Sequence, residues 1–121
     1  MREISDPRNN DDNVVSIHTF ITTTYSSSPA ERAKAVRNLC PCHVKANVDD
    51  VWDRIIEMAE DKDVTVRRAV LHTLCDGSPK AREHDIIEAL RLLSRDHDKE
   101  IRRKVHKALA HYDRDGRWNV L

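Results

Sequence analysis

Glycine, cysteine and aromatic residues are scarce in this 121-residue chain, which has two glycines, three cysteines and an aromatic content of 4%. Charged residues make up 35% of the chain, and this balance is typical of helices with solvated faces rather than of a sheet protein. Three cysteines cannot form a complete set of disulfides, and reduced thiols are typical of the cytosol. We therefore expect an all-α, cytoplasmic protein of one domain.

The chain also lacks long apolar runs and an excess of charge of either sign. No segment approaches the roughly 18 apolar residues of a transmembrane helix, and the N-terminal sequence MREISDPRNNDDN lacks the apolar stretch of a signal peptide. Lysine and arginine total 21, as do aspartate and glutamate, so no global field steers the protein towards DNA or an anionic membrane. We expect no membrane association, and any electrostatic preference must be local.

A twelve-residue pattern, however, occurs twice. DVTVRRAVLHTL at 63–74 and DKEIRRKVHKAL at 98–109 keep one register at an offset of 35 residues, with aspartate first, an aliphatic residue before two arginines, and leucine last. The segments 49–63 and 84–98 show the same offset, and both have apolar residues at helical spacing. Each repeat unit is therefore predicted to contain two helices.

A weaker first copy begins at Ser28 and Pro29, which are typical of a helix start. The predicted helices span 12–25, 29–40, 49–61, 63–75, 79–95 and 97–112. Alternating helices at this period indicate a short α-solenoid of antiparallel helix pairs. The predicted organisation is a disordered start at 1–11, a repeat domain at 12–112 and a capping tail at 113–121. The tail residues expected to fold back over the last helix pair are Trp118, Val120 and Leu121.

The two twelve-residue segments, each followed by a second amphipathic helix, resemble HEAT-like repeats, particularly the short bacterial repeats of the phycobilisome-lyase branch. Tetratricopeptide repeats have a similar length, but their tryptophan, glycine, tyrosine and proline are missing at the set places. The resemblance covers residues 28–112. It implies a structural ladder of aspartate–arginine pairs along the array. In one unit Asp63 is expected to pair with Arg67, and in the next Asp98 is expected to pair with Arg102, since residues four apart share a helix face.

The first helices of the units are basic and the second helices are acidic. The charged residues of the first helices sum to +2, +1 and +3, whereas those of the second helices sum to −4 and −1. In HEAT-like arrays the second helices usually line the concave face, so the resemblance implies an acidic inner surface that binds an extended partner with a basic segment. The alternative interpretation is that these charged residues only form the solvated faces of the helices and bind no partner. The predicted partner-binding residues are Asp49, Asp53, Glu57, Glu88 and Arg91.

The leading functional hypothesis is a non-enzymatic adaptor or scaffold that binds another protein and is itself a monomer or weak homodimer. One alternative is nucleic-acid binding through the basic first helices, although few aromatic residues are available for stacking on bases. Another is an ancillary subunit of lyase or chaperone type, which follows from fold analogy alone. The basic residues in question are Arg68, Arg103, Lys104 and Lys107.

No catalytic residue, cofactor or metal site is predicted. Cys40, Cys42 and His43 are residue types that zinc prefers, but their spacing is shorter than that of structural zinc sites. Cys40 and Cys75 each follow the last leucine of a first helix and are interpreted as small buried hydrophobic residues. A di-iron hydroxylase in the wider HEAT-like family has repeated His-Glu dipeptides, and this sequence has none.

Overall fold

A computed structural model describes residues 10–39 and 49–121. Within these residues the chain forms six α-helices and no strand, which confirms the predicted all-α class. None of these helices has both the length and the apolar composition of a membrane-spanning segment. The helices are α1 (Asn10–Thr23), α2 (Pro29–Asn38), α3 (Asp49–Glu57), α4 (Val64–Leu74), α5 (Glu83–Leu93) and α6 (Lys99–Asp115), with 3₁₀ turns at Met58–Glu60 and Lys80–Arg82.

Short polar side chains determine where the first helices of the units begin. Asp63 and Asp98 are the N-caps of α4 and α6, and each side chain accepts backbone N–H groups of the first helical turn. Ser28 caps α2 in the same way, and Pro29 occupies the first helical position. At the end of α6, Gly116 has φ of 76°, a left-handed conformation that favours glycine and ends the helix. The helix start predicted at Ser28 and Pro29 is thus confirmed.

The helices contact one another in two rows. In the first row α2 contacts α4 and α4 contacts α6, and in the second row α1 contacts α3 and α3 contacts α5. Helices of different rows also touch, as α1 touches α2 and α5 touches α6. One cluster of buried apolar side chains runs from Val36 in α2 to Ala108 in α6, and Trp52, which is 1% exposed, is its largest fully buried member. The burial of these side chains is the main favourable contribution to the fold.

The tail after α6 folds back onto the connection between α4 and α5. The indole Nε1–H of Trp118, a residue 3% exposed, donates to Ser78 Oγ at 2.6 Å. Asn119 accepts the backbone N–H of Ser78 at 3.0 Å and donates to its carbonyl at 3.1 Å. The N–H of Leu121 donates to the carbonyl of Cys75 at 3.2 Å. The tail therefore binds this connection, and it also contacts the last helix, since the Trp118 ring packs edge-on against Tyr112 of α6 with ring centroids 6.0 Å apart.

Two stretches that carry sequence predictions lie outside the described residues. Residues 1–9 contain most of the predicted disordered start, and residues 40–48 contain the two cysteines and the histidine weighed as zinc ligands. The third cysteine, Cys75, is 1% exposed, and burial raises the pKa of its thiol to about 12. This residue is a small buried hydrophobic side chain, as predicted.

Candidate functional site

The turns that precede the first-row helices share one hydrogen-bond pattern. Arg67 of α4 donates from Nε and Nη2 to the two carboxylate oxygens of Asp96, at 2.7 and 3.2 Å, and from Nη1 to the carbonyl of Asp61 at 2.9 Å. Arg32 of α2 donates in the same way to the carboxylate of Asp61, at 3.0 and 3.1 Å, and to the carbonyl of Ser26 at 2.9 Å. Each arginine therefore joins the turn before its own helix to the turn before the next first-row helix.

These bonds keep Asp61 and Asp96 charged. Their side chains are 11% and 7% exposed. Burial alone would raise the pKa of each carboxyl, but hydrogen bonds from the arginine and from the backbone N–H two residues later outweigh it, and both pKa values lie below the ordinary range. The same hydrogen bonds raise the pKa of Arg32 and Arg67. Consecutive turns are thus linked by bidentate ion pairs with little solvent contact.

The predicted ladder pairs, Asp63 with Arg67 and Asp98 with Arg102, are wrong. The oxygens of Asp63 and Asp98 cap their helices, so backbone N–H groups bind them in place of the arginine four residues later. Arg67 reaches Asp96, and Arg102 donates from Nη1 to the carbonyls of Asp96 and His97. The carboxylates of the ladder therefore lie two residues before the predicted ones. A signal for them was present, since Asp61 and Asp96 are themselves 35 residues apart.

Most of the basic residues considered for nucleic-acid binding are paired with carboxylates. Arg68 binds the N-cap aspartate of α6 through two hydrogen bonds, at 3.2 and 2.7 Å. Arg103 and Lys104 share Glu100, at 2.6 and 3.6 Å. Lys107 is exposed and makes no ion pair within the described residues. These pairs reduce the positive charge available to a phosphate backbone.

In the second row a groove separates the end of α1 from α3. It has a volume of about 410 Å³. The guanidinium of Arg54 lies 3.6 Å from the centroid of the Tyr25 ring, and its Nε donates to Thr24 Oγ1 at 2.9 Å. Arg54 thereby connects α3 to the end of α1 and supports the Tyr25 ring, which is 66% exposed. The groove is lined by His18, Ile21, Tyr25, Asp50, Asp53, Arg54 and Glu57.

A second groove lies between α3 and α5. It has a volume of about 260 Å³ and contains Leu92, which is 45% exposed. Tyr25 and Leu92 are the large apolar side chains of residues 17–39 and 49–121 that stand exposed, and one lies in each groove. We call the surface with both grooves the acidic face. The second groove is lined by Ile56, Glu60, Asp85, Glu88, Ala89 and Leu92.

Arg82, in the 3₁₀ turn before α5, binds several carboxylates of the second row. It contacts Asp53, Asp85 at 3.3 Å and Asp49 at 3.6 Å. Its side chain is 15% exposed, whereas those of Asp49 and Asp53 are 83% and 65% exposed. The hydrogen bond to Asp53 is the main cause of the raised pKa of Arg82. This arginine joins α3 to the start of α5 and leaves the carboxylates at the surface.

The acidic face keeps an excess of negative charge. Six carboxylates line its two grooves, and Arg54 and Arg82 are the arginines that pair with them. Asp50 and Glu60 make no ion pair within the described part of the chain. The grooves therefore combine apolar surface with a potential that attracts positive groups.

The structure brings three of the five predicted partner-binding residues into these grooves. Asp53 and Glu57 line the first, and Glu88 lines the second. Asp49 contacts Arg82 at the start of α3, and Arg91 is an exposed residue of α5. Leu92 does not belong to the buried apolar stripe of α5, and its position outside that stripe could have indicated an exposed apolar residue. The groove residues that the sequence reasoning missed include Tyr25, Ile56, Glu60 and Leu92.

Within the described residues, His84, Asp85 and Glu88 are spaced to hold a metal ion, since one ligand atom from each lies within 4.8 Å of the others. His84 Nε2 is 3.4 Å from a Glu88 oxygen, and both side chains are largely exposed. Asp85 is already paired with Arg82, and that positive charge opposes a cation. In this structure the charged contact of the cluster is therefore the pair of Asp85 with Arg82 at the start of α5.

Comparison with known proteins finds no relative. No protein-family model, curated protein or solved structure matches the chain. The function must consequently be inferred from the chemistry of the chain's own residues.

Proposed function

We propose that this protein is a non-enzymatic interaction module that holds a basic, amphipathic segment of a partner protein on its acidic face. The observation that carries the proposal is the position of Tyr25 and Leu92, the two exposed large apolar side chains among residues 17–39 and 49–121, in separate grooves edged by carboxylates. An aromatic or aliphatic side chain of the partner would enter each groove. Lysine or arginine residues of the partner would pair with the carboxylates around them.

We further propose that the architecture is a short HEAT-like α-solenoid. The contacts within each row and the recurrence of the arginine–turn pattern at 35 residues support this assignment. In such arrays the partner lies along one row of helices, which agrees with the placement of both grooves on the second row. The buried free thiol of Cys75 fits the reducing cytoplasm, which we propose as the location.

The test is selection of binding peptides from a displayed random library, followed by affinity measurement against variants. Selected peptides should carry lysine or arginine together with apolar residues at helical spacing. The double variant Glu57→Lys/Glu88→Lys should weaken them at least tenfold, and Leu92→Ala should weaken them several-fold. The matched control is Asp113→Lys, a charge reversal at an exposed position of α6 outside both grooves.

Three results would contradict the proposal. They are the recovery of no binder, the recovery of acidic binders, and equal loss of affinity in the control and in the double variant. A salt titration adds a separate criterion, because an affinity that depends on these carboxylates must fall as ionic strength rises.

A further inference from the structure

Arg102 of α6 is the third arginine in the series that contains Arg32 and Arg67. The three are spaced by 35 residues, and each donates from Nη1 to the carbonyl six positions earlier. Arg32 and Arg67 use Nε and Nη2 to bind a carboxylate of the next turn. The Nε and Nη2 groups of Arg102 make no hydrogen bond within the described residues. Its guanidinium is therefore held in place, and no described residue binds its two carboxylate-binding donors.

The preceding unit indicates what such donors bind. On α4, Arg67 binds Asp96 and the adjacent Arg68 binds Asp98, at 2.7 Å for the shortest contact of each pair. Two neighbouring arginines on one helix thus bind both carboxylates of an Asp-x-Asp turn at the start of another helix. Arg102 and Arg103 occupy the same two positions on α6, where Arg103 is 63% exposed and paired with Glu100 of its own helix.

We propose that Arg102 and Arg103 form a docking site for an Asp-x-Asp turn at the start of a helix in a partner protein. Charge complementarity supports this occupant, since two guanidinium groups face it and planar bidentate pairing with carboxylates is the geometry that arginine favours. The site lies on the first row and does not depend on the acidic face or on the function proposed for it.

The surroundings of the site are polar rather than apolar. Leu71 is buried in α4, and the residue 35 positions later, His106 of α6, is exposed. Lys107, also exposed, replaces His72 in the same comparison. A partner on α6 is therefore held by charge rather than by apolar burial, so its affinity must depend strongly on salt.

The test uses an acetylated peptide of alanine and glutamine, long enough to be helical, that begins Asp-Ala-Asp. The control peptide begins Asn-Ala-Asn. Arginine Nε–H signals of the isotope-labelled protein are followed by NMR while peptide is added. The Arg102 signal should move towards those of Arg32 and Arg67, with an affinity about tenfold greater for the aspartate peptide than for the control.

Variants locate the effect. Arg102→Gln should remove the response of the Arg103 Nε–H signal to the aspartate peptide, Arg103→Gln should reduce the response of the Arg102 signal, and Arg114→Gln, at the far end of the same helix, should leave both unchanged. Because Arg102 has no carboxylate partner within the described residues, its variant is expected to fold, and the thermal transition checks this directly. An unmoved Arg102 signal at millimolar peptide, equal responses to the two peptides, or an undiminished response of the Arg103 signal in Arg102→Gln would overturn the proposal.

Discussion

Both rows of helices contain aspartates that contact arginine, but the aspartates of the first row are largely buried and those of the second row are exposed. In the first row Asp61 and Asp96 are 11% and 7% exposed and bound by arginine forks. In the second row Asp49 and Asp53 are 83% and 65% exposed, although a single arginine contacts both. Burial decides the difference, since a carboxylate out of water must be paired whereas an exposed one is free to exchange partners. The first row therefore uses its charges for the fold, and the second row keeps them available.

The largest decrease in stability is expected from breaking the pair of Arg67 and Asp96 in the first row. Arg67→Ala leaves the Asp96 carboxylate partly buried without its partner and removes the bond to the carbonyl of Asp61. Loss of one partner from a buried pair destabilises proteins strongly, and we expect a decrease of about 2–4 kcal/mol in the free energy of unfolding. Urea denaturation followed by circular dichroism measures it.

Arg102→Ala is the matched control for that change, because it removes the same side chain from the same helical position one unit later. It loses hydrogen bonds to two backbone carbonyls but no pair with a carboxylate of the described residues, so we expect a cost of about 1 kcal/mol. Equal costs at the two positions would show that the ion pair adds nothing to the fold.

A smaller decrease in the free energy of unfolding is expected at acidic pH. The pKa values of Asp61 and Asp96 are lowered in the folded protein, so the stability that they contribute is complete above the unfolded pKa of about 3.9 and is lost as pH falls through the folded values. Asp96→Asn should therefore be less stable than the wild type at pH 7, and the gap should narrow below about pH 4. Denaturation curves at several pH values measure the gap, and a constant gap would argue against the pair.

The smallest effect is expected in the second row. Asp53→Asn and Glu88→Gln remove exposed charges, and we expect the free energy of unfolding to change by about 0.5 kcal/mol or less. The same changes should lower the affinity for a basic partner segment. If either variant proved as unstable as Arg67→Ala, the conclusion that second-row charges contribute little to the fold would be refuted.

The helices and their starts could be predicted from the sequence because local chemistry determines them. Apolar spacing defines the buried stripe of each helix, and Ser28, Asp63 and Asp98 are residue types whose oxygens satisfy backbone N–H groups at a helix start. The end of α6 was placed at 112, and it lies at Asp115 because Gly116 is the residue able to take the left-handed conformation there.

The aspartate partners of the arginines could not be predicted from helical spacing, because spacing along one helix does not tell which turn of the neighbouring helix pair lies beside it. Arg67 has an aspartate four residues before it and another 29 residues after it, and only the packing of turn on turn selects the second. The grooves could not be predicted from the sequence for a similar reason. The exposure of Tyr25 depends on where Arg54 of another helix lies.

The return of the tail to the connection after α4 has a consequence for the speed of folding. The hydrogen bond from the N–H of Leu121 to the carbonyl of Cys75 spans 46 residues, and each arginine–aspartate pair of the first row spans 29. These are the long-range exceptions, since most contacts of this helical structure join residues fewer than 12 positions apart. The contact order is therefore low and the cost of loop closure is small, a regime in which helical proteins fold within microseconds to milliseconds. Neighbouring helices are therefore expected to associate early, and closure of the tail is expected to be the last step.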